Sequence, residues 1–208
     1  MPAPTTTNLT SFLTTIGVTA SGSADLTALL ASATLEFETR TGRQKYQGDA
    51  GTTAVRYTIP PLQGNSVRLT IADCWAITEI KVNYSGGSTG KVLTEYDDFI
   101  YRPDGYTQKR RPIEAIQFVH MPSIEPGSIL VTGKLGYASD MPTDVFEAIL
   151  SGAAAQLMIQ QAGESGSVTE EKNGDRSVKY GAGNDLGTVE RLQKVFDTTA
   201  SRYIKVAY

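Results

Sequence analysis

The chain has almost none of the side chains that commonly build disulfides and metal sites. Its 208 residues include one cysteine, Cys74, and one histidine, His120. A single cysteine cannot close a disulfide within the chain, and a single histidine cannot supply a histidine-based metal cluster. We therefore expect no metal and no cofactor, and we interpret Cys74, which precedes Trp75, as a buried packing residue.

Long runs of positive charge and of apolar residues are also missing. The 19 lysine and arginine residues are outnumbered by 22 aspartate and glutamate residues, which gives a net charge of −3. Such a chain lacks the basic surface that grips nucleic-acid phosphates. No apolar run reaches the ~18 residues of a membrane span. The first basic residue is Arg40, whereas a signal peptide begins with positive charge. The composition thus predicts a cytosolic protein that does not associate with membranes.

Both ends of the chain show apolar residues at helical spacing. Asn8 or Thr10 is placed to cap a short first helix. Ser23 is placed to cap an amphipathic helix over residues 24–41, which Gly42 would end.

Two more helices are predicted in the last third of the chain. The first opens at Pro142, because proline is tolerated in the first turn of a helix, and ends at Gly163. The second has Asp185 as its cap and is predicted to end near residues 197–199.

Between these ends, apolar residues alternate with polar ones. Alternation of β-branched and aromatic residues is typical of half-buried strands. The alternating sets are Val55/Tyr57/Ile59, Val67/Leu69/Ile71, Ile80/Val82/Tyr84, Ile116/Phe118 and Ile129/Val131. Turns rich in proline and glycine separate them, so we predict about six short strands in a small antiparallel sandwich or barrel.

These patterns together predict an α+β fold in two parts. Residues 1–45 and 138–208 would form a helical core of three to four helices plus a β-hairpin, and residues 46–137 would form a β-domain inserted into it. The hairpin is predicted at residues 168–180, where Asn173 and Gly174 separate two alternating arms.

No arrangement of residues indicates catalysis. Residues 85–92 approach the pattern of a phosphate-binding loop, but Ser85 replaces its first glycine and Val92 its magnesium-binding hydroxyl. His120 has no second metal-ligand candidate near it in the sequence. No serine, threonine or cysteine is paired with a recognisable general base. The densest acidic patch follows no calcium-loop spacing; it comprises Glu95, Asp97, Asp98 and Asp104. We predict a protein that is not an enzyme and has no catalytic, metal-binding or cofactor-binding residues.

Several stretches resemble one known family. Residues 29–43 show a helix that ends in Thr-Gly-Arg, and residues 133–137 read Gly-Lys-Leu-Gly-Tyr. Residues 142–149 match a helix opening P-x-D-[VL]-x-x-A-[IL], and residues 174–180 match a hairpin pattern G-D-x-S-V-x-Y. A closing helix follows. Over roughly half of its length the chain therefore resembles the head–tail connector proteins (adaptor or head-completion proteins) of tailed bacteriophages and gene-transfer particles.

The resemblance implies a structural role in a virion. Connector proteins form a ring, commonly of twelve subunits, that docks beneath the portal, extends the DNA channel and offers a platform to the next neck or tail protein. The implied partners are the portal protein, further copies of this chain, the next neck or tail protein and double-stranded DNA in transit. The implied location is the neck of the virion, assembled in the host cytoplasm.

Two segments are candidate contact sites within such a particle. In the resembling family the C-terminal segment reaches toward the portal, and here alternate apolar residues suit strand addition. The portal-binding candidates are Tyr203, Ile204, Val206 and Tyr208. The hairpin carries many charges and would contact a neighbouring subunit or the next ring through Glu170, Glu171, Lys172, Asp175, Arg176 and Lys179.

Two other functions remain open at this point. The β-domain could be a carbohydrate- or protein-binding module of a non-viral or tail-associated protein, since aromatic side chains stack on sugars. Its candidate stacking residues are Trp75, Tyr84, Tyr96, Tyr101 and Tyr106. A hydrolase would instead use Asp97, Asp98 or Asp104.

The two-part architecture can be tested by excision. Replacing residues 46–137 with a short Gly/Ser linker should leave a soluble helical core, because each part is predicted to bury its own apolar face. Circular dichroism of the remainder should keep its helical signal. Aggregation or loss of that signal would refute the division.

Overall fold

The computed structural model describes residues 1–20, 24–58, 68–83, 90–106, 111–119, 128–164 and 186–205. Over these residues the chain forms four α-helices and six β-strands, which confirms the α+β class. The helices are α1 (Thr6–Thr15), α2 (Leu26–Thr41), α3 (Thr143–Glu164) and α4 (Leu186–Arg202). The strands are β1 (Thr53–Thr58), β2 (Arg68–Asn83), β3 (Lys91–Val92), β4 (Phe99–Arg102), β5 (Ile113–Phe118) and β6 (Ser128–Leu135).

The chain divides into two compact units. The helical unit consists of Met1–Gly42 and Thr143–Lys205 and contains the four helices, and the sheet unit is built from Arg43–Pro142 and contains the six strands. That the sheet unit folds without the helices stays a prediction.

Helix α1 begins with a reciprocal capping box. The Thr5 hydroxyl oxygen accepts the backbone N–H of Asn8 at 3.3 Å, and the Asn8 side-chain oxygen accepts the backbone N–H of Thr5 at 3.0 Å. The prediction that Asn8 or Thr10 caps this helix is wrong, because Thr5 occupies the N-cap and Asn8 lies three residues inside it.

Helix α2 is capped by a carboxylate and ended by a glycine. Asp25 accepts the N–H groups of Thr27 and Ala28, each at 3.0 Å, so Asp25 rather than the predicted Ser23 is the N-cap. A carboxylate at this position satisfies two exposed N–H groups and complements the helix dipole. Gly42 ends the helix as predicted, in the left-handed conformation with φ 67°.

Helices α3 and α4 approach closely because a glycine lies where they meet. A Cβ at Gly152 of α3 would lie 2.6 Å from the ring of Phe196 of α4. Phe196 also meets Phe37 of α2 edge-on, with ring centroids 5.3 Å apart. Helix α4 continues to Arg202, so its predicted end near residues 197–199 is wrong; buried Thr199 and Ala200 extend its apolar face.

The described strands form one hydrogen-bonded sheet. Their order is β1-β6-β2-β5-β4, with the short β3 pairing with β2, and each pair of neighbours is antiparallel. The buried apolar core of the sheet unit comprises Leu69, Ile71, Cys74, Ile80, Val82, Leu93, Phe99, Ile113, Ile116, Phe118, Ile129 and Val131. The expected burial of Cys74 is confirmed.

Strand β2 is longer than the alternation of apolar residues predicts. The sequence predicts separate strands around Leu69 and Ile80, whereas the structure has one strand of 16 residues. Its register shifts near Cys74, and again between Ile77 and Glu79. Each such bulge reverses which alternate residues face the core and bends the strand. The core-facing residues therefore switch from odd to even positions within one strand, and in the sequence this switch resembles a break between two strands.

The close contact between α3 and α4 yields a stability prediction. Gly152→Ala should lower the free energy of unfolding by about 1–2 kcal/mol, because overpacking costs ~1–3 kcal/mol and the gain in helix propensity returns at most ~1 kcal/mol. Urea denaturation would measure the change. The control is Gly51→Ala, where a Cβ would meet nothing within 4 Å; equal effects of the two changes would contradict the packing argument.

Candidate functional site

A buried ion-pair cluster lies directly after Gly42. The two terminal nitrogens of Arg43 bind Asp73 of β2 at 2.7 Å and Glu114 of β5 at 2.8 Å. All three side chains are at most 6% exposed. The guanidinium also lies over the ring of Tyr137, 5.0 Å from its centroid. The cluster thus ties the start of the sheet unit to two neighbouring strands and to the segment that follows β6.

The two carboxyl groups keep the guanidinium charged. Burial alone would lower the pKa of Arg43, but its attraction to Asp73 and its hydrogen bonds to Asp73 and Glu114 outweigh burial, so the pKa is raised. Removing one member of a buried ion pair typically costs ~3–5 kcal/mol, because the partner is left buried and unpaired. The cluster therefore fixes geometry more than it adds net stability.

The residues that follow Arg43 run alongside the segment after β6. Gly48 donates its N–H to the carbonyl of Ala138 at 2.7 Å, and Tyr137 donates to the carbonyl of Lys45 at 2.9 Å. Gly136 has φ 118°, and a Cβ there would lie 2.5 Å from the Cα of Gly48. The Thr-Gly-Arg and Gly-Lys-Leu-Gly-Tyr stretches, about 90 residues apart in the sequence, therefore meet through Arg43 and Tyr137.

Sequence reasoning missed this cluster, although a signal for it exists. Arg43 follows the glycine that ends a helix, a position where charged residues are common, so Arg43 alone gives no signal. Asp73 and Glu114, however, stand inside otherwise apolar strands, and a charged residue in a buried strand needs a partner. Two such acids and an arginine after Gly42 were sufficient to suggest pairing.

The segment that follows α4 is tied to the helical unit at two points. The Tyr203 hydroxyl donates to the Asp144 carboxylate at 2.7 Å, at the start of α3. The backbone N–H of Lys205 donates to the carbonyl of Thr41 at 2.8 Å, at the end of α2. Between them, Ile204 is 54% exposed. Of the four predicted portal-binding residues, the structure thus anchors Tyr203 and exposes Ile204, while Val206 and Tyr208 lie outside the described residues.

The predicted hairpin residues are not among those that the structure describes. They are Glu170, Glu171, Lys172, Asp175, Arg176 and Lys179. Their contact with a neighbouring subunit or ring stays a prediction. His120 likewise lies outside the described part of the chain.

A cavity of about 200 Å³ opens in the helical unit. The Arg40 guanidinium lies over the Phe196 ring at 5.3 Å and pairs with both Glu36 and Asp197. The side-chain amide of Gln156 donates to Glu36 at 3.2 Å. Because the charged groups of the cavity pair with one another, we assign it no ligand.

Asp98, one of the acidic residues considered for a hydrolase, has a structural role. One carboxylate oxygen of Asp98 accepts the Lys91 ammonium and the other accepts the N–H of Thr94, each at 2.9 Å. Its backbone carbonyl accepts the N–H of Val119 at 2.9 Å. Asp104 pairs with Arg102. Asp98 therefore holds the loop between β3 and β4 in place.

Three of the five candidate sugar-stacking residues are engaged within the sheet unit. The Trp75 ring lies 4.8 Å from the Lys134 ammonium, and a Cβ at Gly48 would lie 2.3 Å from the indole. The Tyr101 ring packs edge-on against Tyr106 at 5.6 Å. Burial, chiefly, raises the pKa of the Tyr101 hydroxyl, with the nearby Glu95 charge adding to it. Tyr84 lies outside the described residues, and Tyr96 is exposed.

Two further kinds of feature are absent from the part of the chain that the structure describes. No group of three or more histidine, cysteine, aspartate or glutamate side chains there is placed to hold a metal ion. None of the described helices combines the length and hydropathy that a membrane crossing requires.

Comparison with known proteins gives a likeness to a solved structure. No protein-family model matches this chain, and no curated protein matches it significantly. Among solved structures, the chain is similar to one titled "Virion of native gene transfer agent (GTA) particle". The identity is 17% and the TM-score 0.47, over 91% of this chain and 81% of that one. At that distance, family and function have to be argued from the residues themselves.

The buried cluster predicts a strong and specific loss of stability. Arg43→Leu should lower the free energy of unfolding by about 3–5 kcal/mol, because two carboxyl groups would stay buried without their cation. The matched control is Arg56→Leu at an exposed position of β1, expected within about 0.5 kcal/mol of the parent. Replacing the whole cluster by Arg43→Met, Asp73→Leu and Glu114→Met should recover much of the loss. Failure of the apolar triple variant to recover would contradict this account.

Proposed function

We propose that this chain is a structural, non-enzymatic virion protein, the subunit of a head–tail connector ring. In this role it docks beneath the portal, continues the DNA channel and presents a platform to the next neck or tail protein. Its partners would be the portal protein, other copies of itself, the next neck or tail protein and DNA that passes through.

One observation carries the proposal: residues that define the resemblance are the residues that hold the structure together where its segments meet. Arg43 of the Thr-Gly-Arg stretch and Tyr137 of the Gly-Lys-Leu-Gly-Tyr stretch contact each other. Thr41 and Asp144, from the two helix motifs, bind the segment after α4. Short motifs that matched by chance would have no reason to pair across the chain, so the pairing supports a common architecture.

The C-terminal residues 203–208, which we call the tail, are the proposed portal ligand. Tyr203 and Lys205 are fixed to the helical unit, so the residues beyond them leave from a defined point. A fixed origin lowers the ordering cost of binding, and several tails in one ring would add avidity. Ile204, Val206 and Tyr208 would enter a portal cleft or add a strand there, with Tyr203 acting as the anchor. The charged hairpin would contact a neighbouring subunit or the next ring.

The charge balance suits passage of DNA rather than binding. A net charge of −3 gives no general attraction for phosphates. A channel formed by such chains would let the genome slide without holding it.

A truncation separates the tail from the core. A chain that ends at Lys205 keeps both anchoring hydrogen bonds and should stay folded, yet it should no longer be retained by immobilised portal rings in a pull-down. A second variant, Ile204→Ser with Val206→Ser and Tyr208→Ser, keeps the length and should lose binding as well, because the apolar contacts are what bind.

The control for this experiment is Arg56→Lys, a conservative change at an exposed position of β1 that should leave portal retention intact. Undiminished binding by both tail variants would refute the tail as the portal ligand. Binding of portal by no form of the chain, including the parent, would refute the connector role.

A further inference from the structure

The loop between β3 and β4 presents an aromatic side chain to solvent. We call residues 94–98 the Tyr96 loop. Tyr96 is 76% exposed, and its hydroxyl makes no hydrogen bond within the part of the chain that the structure describes. An aromatic ring held in water gains nothing from burial in its own chain and is the kind of side chain that anchors protein interfaces.

The backbone of this loop is held in an unfavourable conformation. Tyr96 has φ 71°, the one described non-glycine residue with positive φ. Bulky residues rarely adopt this region, because the side chain then crowds the carbonyl oxygen that follows it. The loop is held there by the N–H of Tyr96, which donates to Phe99 at 2.7 Å, and by Asp98, which binds Lys91, Thr94 and Val119. Several bonds thus keep the ring pointing outward at a conformational cost.

The surroundings of Tyr96 combine apolar surface with negative charge. Asp98 bonds to Lys91, next to Val92, and to Val119; both valines are exposed. The loop also carries Glu95, half-buried, and Asp97, exposed. The exposed Tyr96 ring is thus flanked along the chain by two acidic residues, an arrangement that fits a partner surface with an apolar residue among basic ones.

Helix α4 has such a surface on its solvent side. Its buried residues Val189, Leu192 and Phe196 occupy one face. At 100° per residue, the far side carries a stripe of exposed residues: Arg191, Lys194, Val195, Thr198 and Arg202. We call this stripe the α4 basic face; it is about 16 Å long at ~1.5 Å per residue.

The α4 basic face carries three cations around an exposed valine. Arg191, Lys194 and Arg202 form no ion pair with another described residue. Of the acidic residues of the helix, Asp197 pairs with Arg40, and Glu190 lies one turn before Lys194. Arg191 and Arg202 have no acidic residue of α4 on their side of the helix.

We propose that the Tyr96 loop of one copy docks on the α4 basic face of the next copy. Tyr96 packs on Val195, while Glu95 and Asp97 meet Arg191, Lys194 or Arg202. The contact joins two different surfaces, so it is head-to-tail, and a head-to-tail contact that closes on itself makes a ring. This inference rests on the proposed connector function and supplies the contact that would build its ring.

Charge reversal tests the pairing. One variant carries Glu95→Lys and Asp97→Lys, and the other carries Arg191→Glu and Lys194→Glu. Each alone should weaken self-association at least about tenfold, because like charges then face each other across the contact. An equimolar mixture of the two should assemble again, with the variants alternating, since each then offers the opposite charge to the other. A single chain with all four changes should also assemble.

The readout is particle mass by analytical ultracentrifugation, for the full chain alone and on portal rings, with circular dichroism to verify folding. The reversal control is Arg56→Glu, on an exposed position of β1, which should assemble normally. Assemblies that survive both reversals would overturn this contact and leave the connector function standing. A parent chain that stays monomeric both alone and on portal rings would overturn the contact, and the portal pull-down decides the function separately.

The aromatic anchor has its own test. Tyr96→Gly should raise the melting temperature, because glycine adopts φ 71° without strain, and yet it should weaken assembly at least about tenfold. Tyr96→Phe should assemble like the parent. A glycine variant that assembles as well as the parent would show that Tyr96 is no anchor. A loss of assembly in the phenylalanine variant would overturn the packing of the ring on Val195, because phenylalanine keeps the ring and lacks only the hydroxyl.

Discussion

The pairing of Arg43 with Asp73 and Glu114 is the constraint around which the sheet unit is arranged. It sits immediately after the left-handed Gly42, and it joins β2, β5 and the segment after β6 to the first residue of the sheet unit. Three buried ionisable groups tolerate little displacement, since a lost partner leaves an unpaired group in a low-dielectric interior. The direction in which the chain enters the sheet is therefore specified by charge, while the bulk of the stabilisation comes from the apolar core.

Three consecutive residues at the end of α2 have different structural roles: Thr41, Gly42 and Arg43. The Thr41 carbonyl accepts the N–H of Lys205, Gly42 turns the chain, and Arg43 enters the buried cluster. A short motif can thus serve as a structural junction without any chemistry of its own. The fold thus depends on a position whose side chains hold the structure in place.

Much of the architecture could be predicted from the sequence, and the failures have physical causes. Helical spacing located the helices because amphipathic periodicity extends over many residues. Helix caps were misplaced because several polar residues compete near each end and only tertiary contacts select one. Strand β2 was divided in two because bulges change its parity near Cys74. The anchoring of Tyr203 escaped prediction because it depends on residues that lie far apart in the sequence. The buried cluster left a signal in the two acids of its strands, and only the fold decides which cation pairs with them. The exposed loop at Tyr96 depends on a φ angle that no composition reveals.

The pairing of β1 with β6 has a consequence for the order in which the protein folds. Helices α2 and α3 belong to one unit but are separated by the hundred residues of Arg43–Pro142. Closing a flexible loop of that length costs about 2 kcal/mol more than closing one of ~10 residues, from the logarithmic dependence on length. Register pairs such as Thr53↔Gly133 bring the ends of that loop together. A nascent sheet would therefore lower the entropic barrier to helix association, so the last part of the chain to be synthesised should find its partners only after the middle part has closed.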